Sequence, residues 1–122
     1  MMQEEKDKLI EFFGDESRWC KGLDAMDEQG DAIHYDDELA VSWDIVGGVC
    51  HLFGWPRAQK LFEALSRHMA HQRHIDSAFR GQSMAAMATL LDFNDDDDTT
   101  HELLMARLNE LLVWRGRGAK EA

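Results

Sequence analysis

Cysteine is scarce in this chain: only Cys20 and Cys50 occur among its 122 residues. Neither lies in a CxxC or other metal-ligand spacing, so no metal framework is expected from them, and reduced thiols in a cytoplasmic protein are the simplest reading. Positive charge is scarce too. Thirteen Lys and Arg face 24 Asp and Glu, a formal net charge of -11. Binding a phosphate backbone requires clustered cations, so direct nucleic-acid binding is not expected. Long apolar runs are missing. The longest uncharged stretch, 45 to 56, falls far short of the ~20 residues that a membrane span requires. The opening Met1-Met2-Gln3-Glu4-Glu5 has no basic n-region and no apolar h-region, so no signal peptide is expected. A glycine-rich phosphate loop, G-x-S-x-G and H-E-x-x-H are all missing.

What remains is an ordinary globular balance, 44% apolar and 30% charged, long enough to bury a core. A single compact domain is expected over 1–115, with a frayed basic tail at 116–122. The acidity is uneven. Met1 to Leu61 carries 14 acids and 6 bases, while Phe62 to Ala122 carries 10 and 7.

The expected fold is mainly α (α+β), with about five helices and one small β-hairpin near the N-terminus. Lys6 to Phe13 reads as a first helix stopped by Gly14. Arg18 to Tyr35 holds two short runs around Asp27-Glu28-Gln29-Gly30, the signal of a hairpin. Asp37 to Phe53 reads as the core helix, with Leu39, Trp43, Val46, Cys50 and Phe53 on one stripe and Ile45, Val49 and Leu52 on a second. Gly47 and Gly48 in its middle each cost about 1 kcal/mol relative to alanine, which points to close approach of another element. Pro56 suits the start of a third helix, running to about Gln72, with Ala58, Leu61, Phe62, Leu65 and Met69 apolar. Ser83 to Phe93 presents Met84, Met87, Ala88 and Leu91. Thr100 to Trp114 presents Leu104, Met105, Leu108, Leu111 and Leu112. The Met and Leu stripes of these last helices offer a face for a homodimer.

The run Asp95-Asp96-Asp97-Asp98 looks like a site. Asp92, Asn94, Asp96 and Asp98 alternate like the start of an EF-hand, but the sixth position is Asp97 and the twelfth is Leu103, where that loop needs glycine and a bidentate glutamate. A capping box on Thr99 and Glu102 explains the segment better, because acids ahead of a helix N-terminus each gain roughly 0.3–1 kcal/mol. His68, His71 and His74 recur every three residues but drift across a helix face without a matching carboxylate or cysteine. No metal and no cofactor are expected. His51 reads as a core-edge histidine bonded to backbone. A nucleophile would require Cys20 or Cys50 within reach of His34, His51 or His101. Trp19, Trp43 and Trp55 read as packing residues, or as the wall of a pocket rimmed by Asp24, Asp27 and Asp44.

Trp19-x-x-Gly22-x-x-Ala25-x-Asp27-x-x-Gly30, then Ala40-Val41-x-Trp43-x-x-x-Gly47, then Leu91-x-x-Asn94-Asp95 with a following Thr and a Leu-rich helix, resembles a family of short bacterial, phage and mobile-element proteins. The resemblance spans roughly Trp19 to Leu112. Phe93 stands where that family usually has Trp, and Asp44 where it has a small residue. The family has no established activity, so the resemblance brings no catalytic residues. It implies that the Trp, Gly and Asn-Asp positions, Asn94 and Asp95 included, are structural. Without a complete catalytic constellation, the expected role is a binding protein with a basic protein partner. An acidic inhibitor or DNA mimic is one alternative, and a small hydrolase with a Cys-His or His-carboxylate site is another.

Overall fold

The structure, a computed structural model, describes residues 1–69 and 83–113. Among these the fold is mainly α, with five α-helices and one two-stranded antiparallel sheet. The expected third member of the histidine series, His74, its neighbour His71 and the basic tail at 116–122 lie outside the described residues. No helix among the described residues is long and apolar enough to cross a membrane.

Helix α1 (Gln3–Gly14) begins a turn earlier than its apolar pattern suggests and buries Leu9 and Phe13 completely. Two short strands follow, β1 (Ala25–Met26) and β2 (Ser42–Trp43). Next come α2 (Ile45–Phe53), α3 (Arg57–Ser66), α4 (Ser83–Asp95) and α5 (His101–Asn109). Helices α2 and α3 form a helical hairpin, α4 lies across both, and α1 pairs with α5. The amphipathic stripe of α3 is buried as its spacing requires. Ala58, Leu61, Phe62, Leu65 and the following Met69 are at most 1% exposed.

Three expectations are corrected. The first concerns the core helix, which starts at Ile45 and not at Asp37. Asp44 caps it, its side chain accepting from Gly47 N–H at 2.6 Å. Ser42 and Trp43 are strand residues, Trp43 is buried there, and Leu39 is 63% exposed. The 4-3 spacing of Leu39, Trp43 and Val46 is thus a coincidence across a turn, a strand and a helix. An aromatic residue suits the pleated strand, and an Asp ahead of an apolar run suits an N-cap.

The second concerns strand pairing. Ala25 pairs with Trp43 and Met26 with Ser42, so the partner of β1 comes from beyond the expected hairpin. The nearer arm folds back as expected around the turn at 27–30, with a bridge from Met26 to Ala32 and bonds from Asp27 N–H to the Asp31 carbonyl and from Ile33 N–H to the Ala25 carbonyl, but it forms no strand of its own. The third concerns α4, whose buried apolar residues are Ala86, Leu90 and Phe93, while Met84 is 84% exposed and Ala88 is exposed as well.

The two glycines of α2 stand where close approach is needed. A Cβ on Gly47 would overlap the backbone carbonyl of Asp24, and one on Gly48 would overlap the Phe13 ring. The segment before β1 and the end of α1 are therefore packed directly onto the helix backbone.

The outer ties are polar. Arg57 makes a bidentate pair with the mostly buried Glu5, both bonds 2.6 Å long. That contact, chiefly the bond from Arg57, holds the Glu5 carboxyl below its ordinary range. Lys6 Nζ donates to the carbonyls of Asn109 and Leu111 at the end of α5, and His101 Nε2 donates to the Phe13 carbonyl at the end of α1. Donors at helix C-termini satisfy free carbonyls, and the Lys6 charge matches the helix dipole as well.

Candidate functional site

Asn94 is the centre of the polar core. It is completely buried, on the last turn of α4. Its Oδ1 accepts from the Trp19 indole N–H at 2.7 Å and from the Ile45 N–H, the first amide of α2, at 3.0 Å. Its Nδ2 donates to the Cys20 carbonyl at 3.0 Å and to Asp95 Oδ1 at 2.9 Å. Both lone pairs and both amide protons are used, the complete capacity of an asparagine side chain. Asp95 Oδ1 also accepts from the Gly22 N–H at 2.9 Å. Gly22 has φ 85°, a conformation that L side chains rarely adopt. The Trp-x-x-Gly and Asn-Asp segments thus meet in space.

The Asp run does not present the alternating ligands of an EF-hand loop. Asp92 and Asn94 belong to α4, and Asn94 points into the protein. Asp96 Oδ1 accepts from the Asp98 N–H and shapes the turn. The cap of α5 is Thr100, not Thr99, its side chain accepting from Leu103 N–H at 3.0 Å. Thr99 is buried instead. No three His, Cys, Asp or Glu among the described residues are grouped to hold a metal ion.

Beside this hub lies Asp44, 1% exposed. Burial is the main cause that pushes its carboxyl up to about 7, the Gly47 amide opposes it, and the charges of Asp24 and Asp95 add to it. The folded protein thus holds a proton here that the unfolded chain releases near its ordinary value, so stability declines as pH rises from about 4 to 7. Asp44→Asn preserves the cap acceptor and removes the titration. Its unfolding free energy is expected to be flatter over that range and higher than wild type at pH 8 by on the order of 2 kcal/mol. Urea unfolding at pH 4, 6 and 8 checks this, and equal slopes for the two proteins would contradict it.

A second cluster sits on the other side of β2. The Trp43 indole N–H donates to the Tyr35 carbonyl at 2.8 Å. The His51 ring stacks on Trp43 at 4.9 Å and 24°, and its Nδ1–H donates to Asp36 Oδ1 at 3.1 Å. His51 is thus an exposed residue bonded to a carboxylate, which corrects the expectation of a core-edge histidine bonded to backbone. A carboxylate on Nδ1 sets the imidazole's orientation and leaves Nε2 outward, the arrangement used by general bases. The rings of Phe12, Trp43 and His51 pack together there, Trp43 stacked on His51 and Phe12 tilted against both.

The thiols are poorly suited to nucleophilic work. Burial pushes both Cys20 and Cys50 up to about 11, with nearby carboxylates adding to the shift. His34 Nδ1 accepts from the Asp36 N–H, and His51 and His101 are bonded to Asp36 and to Phe13. None of these bonds reaches a thiol.

Of the sequence candidates, Trp19, Asp24, Asp44, Asn94 and Asp95 converge on the hub, the Asp24 carbonyl accepting from the Asp44 N–H at 3.2 Å. Trp43 and His51 form the second cluster. Asp27 shapes its own turn, its Oδ1 accepting from Gln29 and Asp31 N–H. Trp55 is 49% exposed and packs edge-on against Phe62, apart from the other two indoles. No family model matches the chain. Nor does any curated protein or solved structure. The motif resemblance therefore rests on the residues alone.

Sequence reasoning missed Asp36 and Lys21. Lys21 Nζ donates to the Asp96 carbonyl at 2.6 Å and lies over the Trp19 ring at 5.4 Å. Its position directly after Trp19-Cys20 was the only available signal.

Proposed function

We propose that this chain acts by binding a protein partner that presents a basic surface. One observation carries the reading. Between Lys21 and Arg57 the sequence contains eight acids and no Lys or Arg. Asp24, Glu28, Asp31, Asp36, Asp37 and Glu38 of that segment are exposed. The Asp95–Asp98 turn is tied beside it through Gly22 and Lys21, with Asp95, Asp97 and Asp98 exposed. The bordering cation, Lys21, already has an internal carbonyl as partner. Such a surface accelerates encounter with a cationic protein and repels nucleic acid and anionic lipid.

The test is an NMR titration with a lysine- and arginine-rich peptide at two salt concentrations. Shift changes are expected in 22–41 and at 95–98, and affinity is expected to fall steeply with salt. Changes centred on α3, or none at all, would overturn the reading.

The Asp36–His51 pair favours a second reading, a hydrolase with a His-carboxylate site. It stands second because no hydroxyl or thiol among the described residues is bonded to the imidazole. His51→Ala removes one tie of the acidic segment and is expected to lower partner affinity by only about threefold, since the Tyr35–Trp43 and Val41–Met26 bonds still hold it. Loss of a measurable ester-hydrolysis turnover in that variant would reverse the order of the two readings.

A further inference from the structure

The exposed segment from Asp36 to Val41 differs from an ordinary solvated acidic loop. Leu39 is 63% exposed and Val41 is 40% exposed, two positions apart, directly after Asp36-Asp37-Glu38. The chain there is held in shape. Asp37 Oδ1 accepts from Leu39 N–H at 2.9 Å, and the Asp37 carbonyl accepts from Ala40 N–H. Val41 N–H donates to the Met26 carbonyl at 2.8 Å, which ties the end of the segment to the sheet. Its beginning is tied by Asp36 to His51 and by the Tyr35 carbonyl to the Trp43 indole. The two aliphatic side chains therefore stand outward on backbone fixed at both ends. A preorganised apolar contact loses little conformational entropy on binding, which is the property of an interface centre.

Charge selects the occupant. No Lys or Arg occurs in sequence from Gly22 to Pro56, so anionic lipid and nucleic acid meet repulsion here. A polypeptide bearing cations around an apolar side chain meets attraction at the rim and an apolar centre. Resting on the reading that the partner is a basic protein, we propose that Leu39 and Val41 form the apolar centre of the docking surface and that the partner is a cationic amphipathic segment rather than a plain polycation. This departs from pure charge mimicry, in which the aliphatic pair would have no role.

Two synthetic peptides of equal length and equal positive charge test the idea, one a lysine–leucine amphipathic sequence and the other with each leucine replaced by glycine or serine. Each is titrated into the full chain and into Leu39→Ser/Val41→Ser by calorimetry, with amide shifts recorded in parallel. Because both side chains are exposed, the variant is expected to keep the wild-type circular dichroism and thermal midpoint. The amphipathic peptide should bind wild type about tenfold more tightly than its polar counterpart, and the double variant should lose that advantage while its binding of the polar peptide stays unchanged. The advantage should also persist at a salt concentration that weakens both peptides. Equal affinity of the two peptides, or an advantage that survives in the variant, overturns the apolar centre while leaving the basic-partner reading intact. Failure of both peptides to shift residues 36–41 overturns both. Val41→Ile in place of the serine change serves as a second check, because it preserves the apolar surface and should preserve the advantage.

Discussion

Asn94→Ala is expected to lower the unfolding free energy by about 4 kcal/mol, a large share of the 5–15 kcal/mol typical of a domain. The reason is the set of groups left behind. Truncation strips a partner from the Trp19 indole N–H, the Ile45 N–H and the Cys20 carbonyl at once. Each unsatisfied buried donor or acceptor costs roughly 1–3 kcal/mol. The void is closed off from solvent, since Asn94 has 0% exposure. Asn94→Asp tests the direction of the bonds separately. It preserves the acceptor for Trp19 and Ile45 but places an oxygen against the Cys20 carbonyl and the Asp95 carboxylate, and a loss of about 3 kcal/mol at pH 7 is expected. Urea denaturation followed by tryptophan fluorescence measures both, with an unchanged slope as the sign that the native state is otherwise intact. A loss under 1 kcal/mol in Asn94→Ala would mean that water replaces the side chain, and that the hub is not what holds the three segments together.

The second large effect belongs to Gly47. On an open helix surface Gly→Ala gains about 1 kcal/mol from propensity. Here the added methyl would overlap the Asp24 carbonyl, a backbone atom that moves only if the segment before β1 shifts. Gly47→Ala is therefore expected to destabilise by about 3 kcal/mol, with the sign opposite to propensity. The clash with Asp24 would also separate its carbonyl from the Asp44 N–H and disturb the strand pairing that follows. Thermal unfolding by differential scanning calorimetry gives the answer directly. A raised midpoint would show that the loop yields easily and that the two elements are not in forced contact. Gly48→Ala meets a side-chain ring instead of backbone, and a smaller loss than at Gly47 is expected.

These two positions also show how much could be seen in the sequence. A glycine pair inside an apolar helix implies a neighbour pressed against it, and that neighbour is present. The stripe of α3 was legible because its apolar face lies wholly against the core, so spacing and burial coincide. The stripe of α4 was not. Its small and apolar residues surround most of the helix, so spacing could not separate the buried Ala86, Leu90 and Phe93 from the exposed Met84. The start of α2 was misplaced because Leu39 and Trp43 happened to fall in step with the helix. Their true environments, an exposed turn and a strand, are set by bonds to Asp37 and by pairing with Ala25. The hub was visible only as recurring residue types. That Trp19, Gly22, Asn94 and Asp95 meet is a fact of tertiary geometry, with partners some 75 positions apart. The Asp36–His51 contact had no local signature at all, because a carboxylate in an acid-rich segment carries no mark of its partner.

The pairing of α1 with α5 has a temporal consequence. Lys6 reaches a carbonyl 103 positions further along the chain, and His101 reaches back 88 positions to Phe13. During synthesis the helix made early packs against α2, but its flank toward α5 has no cover until the helix made late is present. The Phe13 carbonyl, bonded to His101 in the finished fold, has no such partner until α5 emerges. Contacts between distant positions form slowly, because a long loop must close before any contact is gained. Truncated nascent chains that stop before His101 are therefore expected to leave α1 open to protease, while chains that extend past Leu111 protect it.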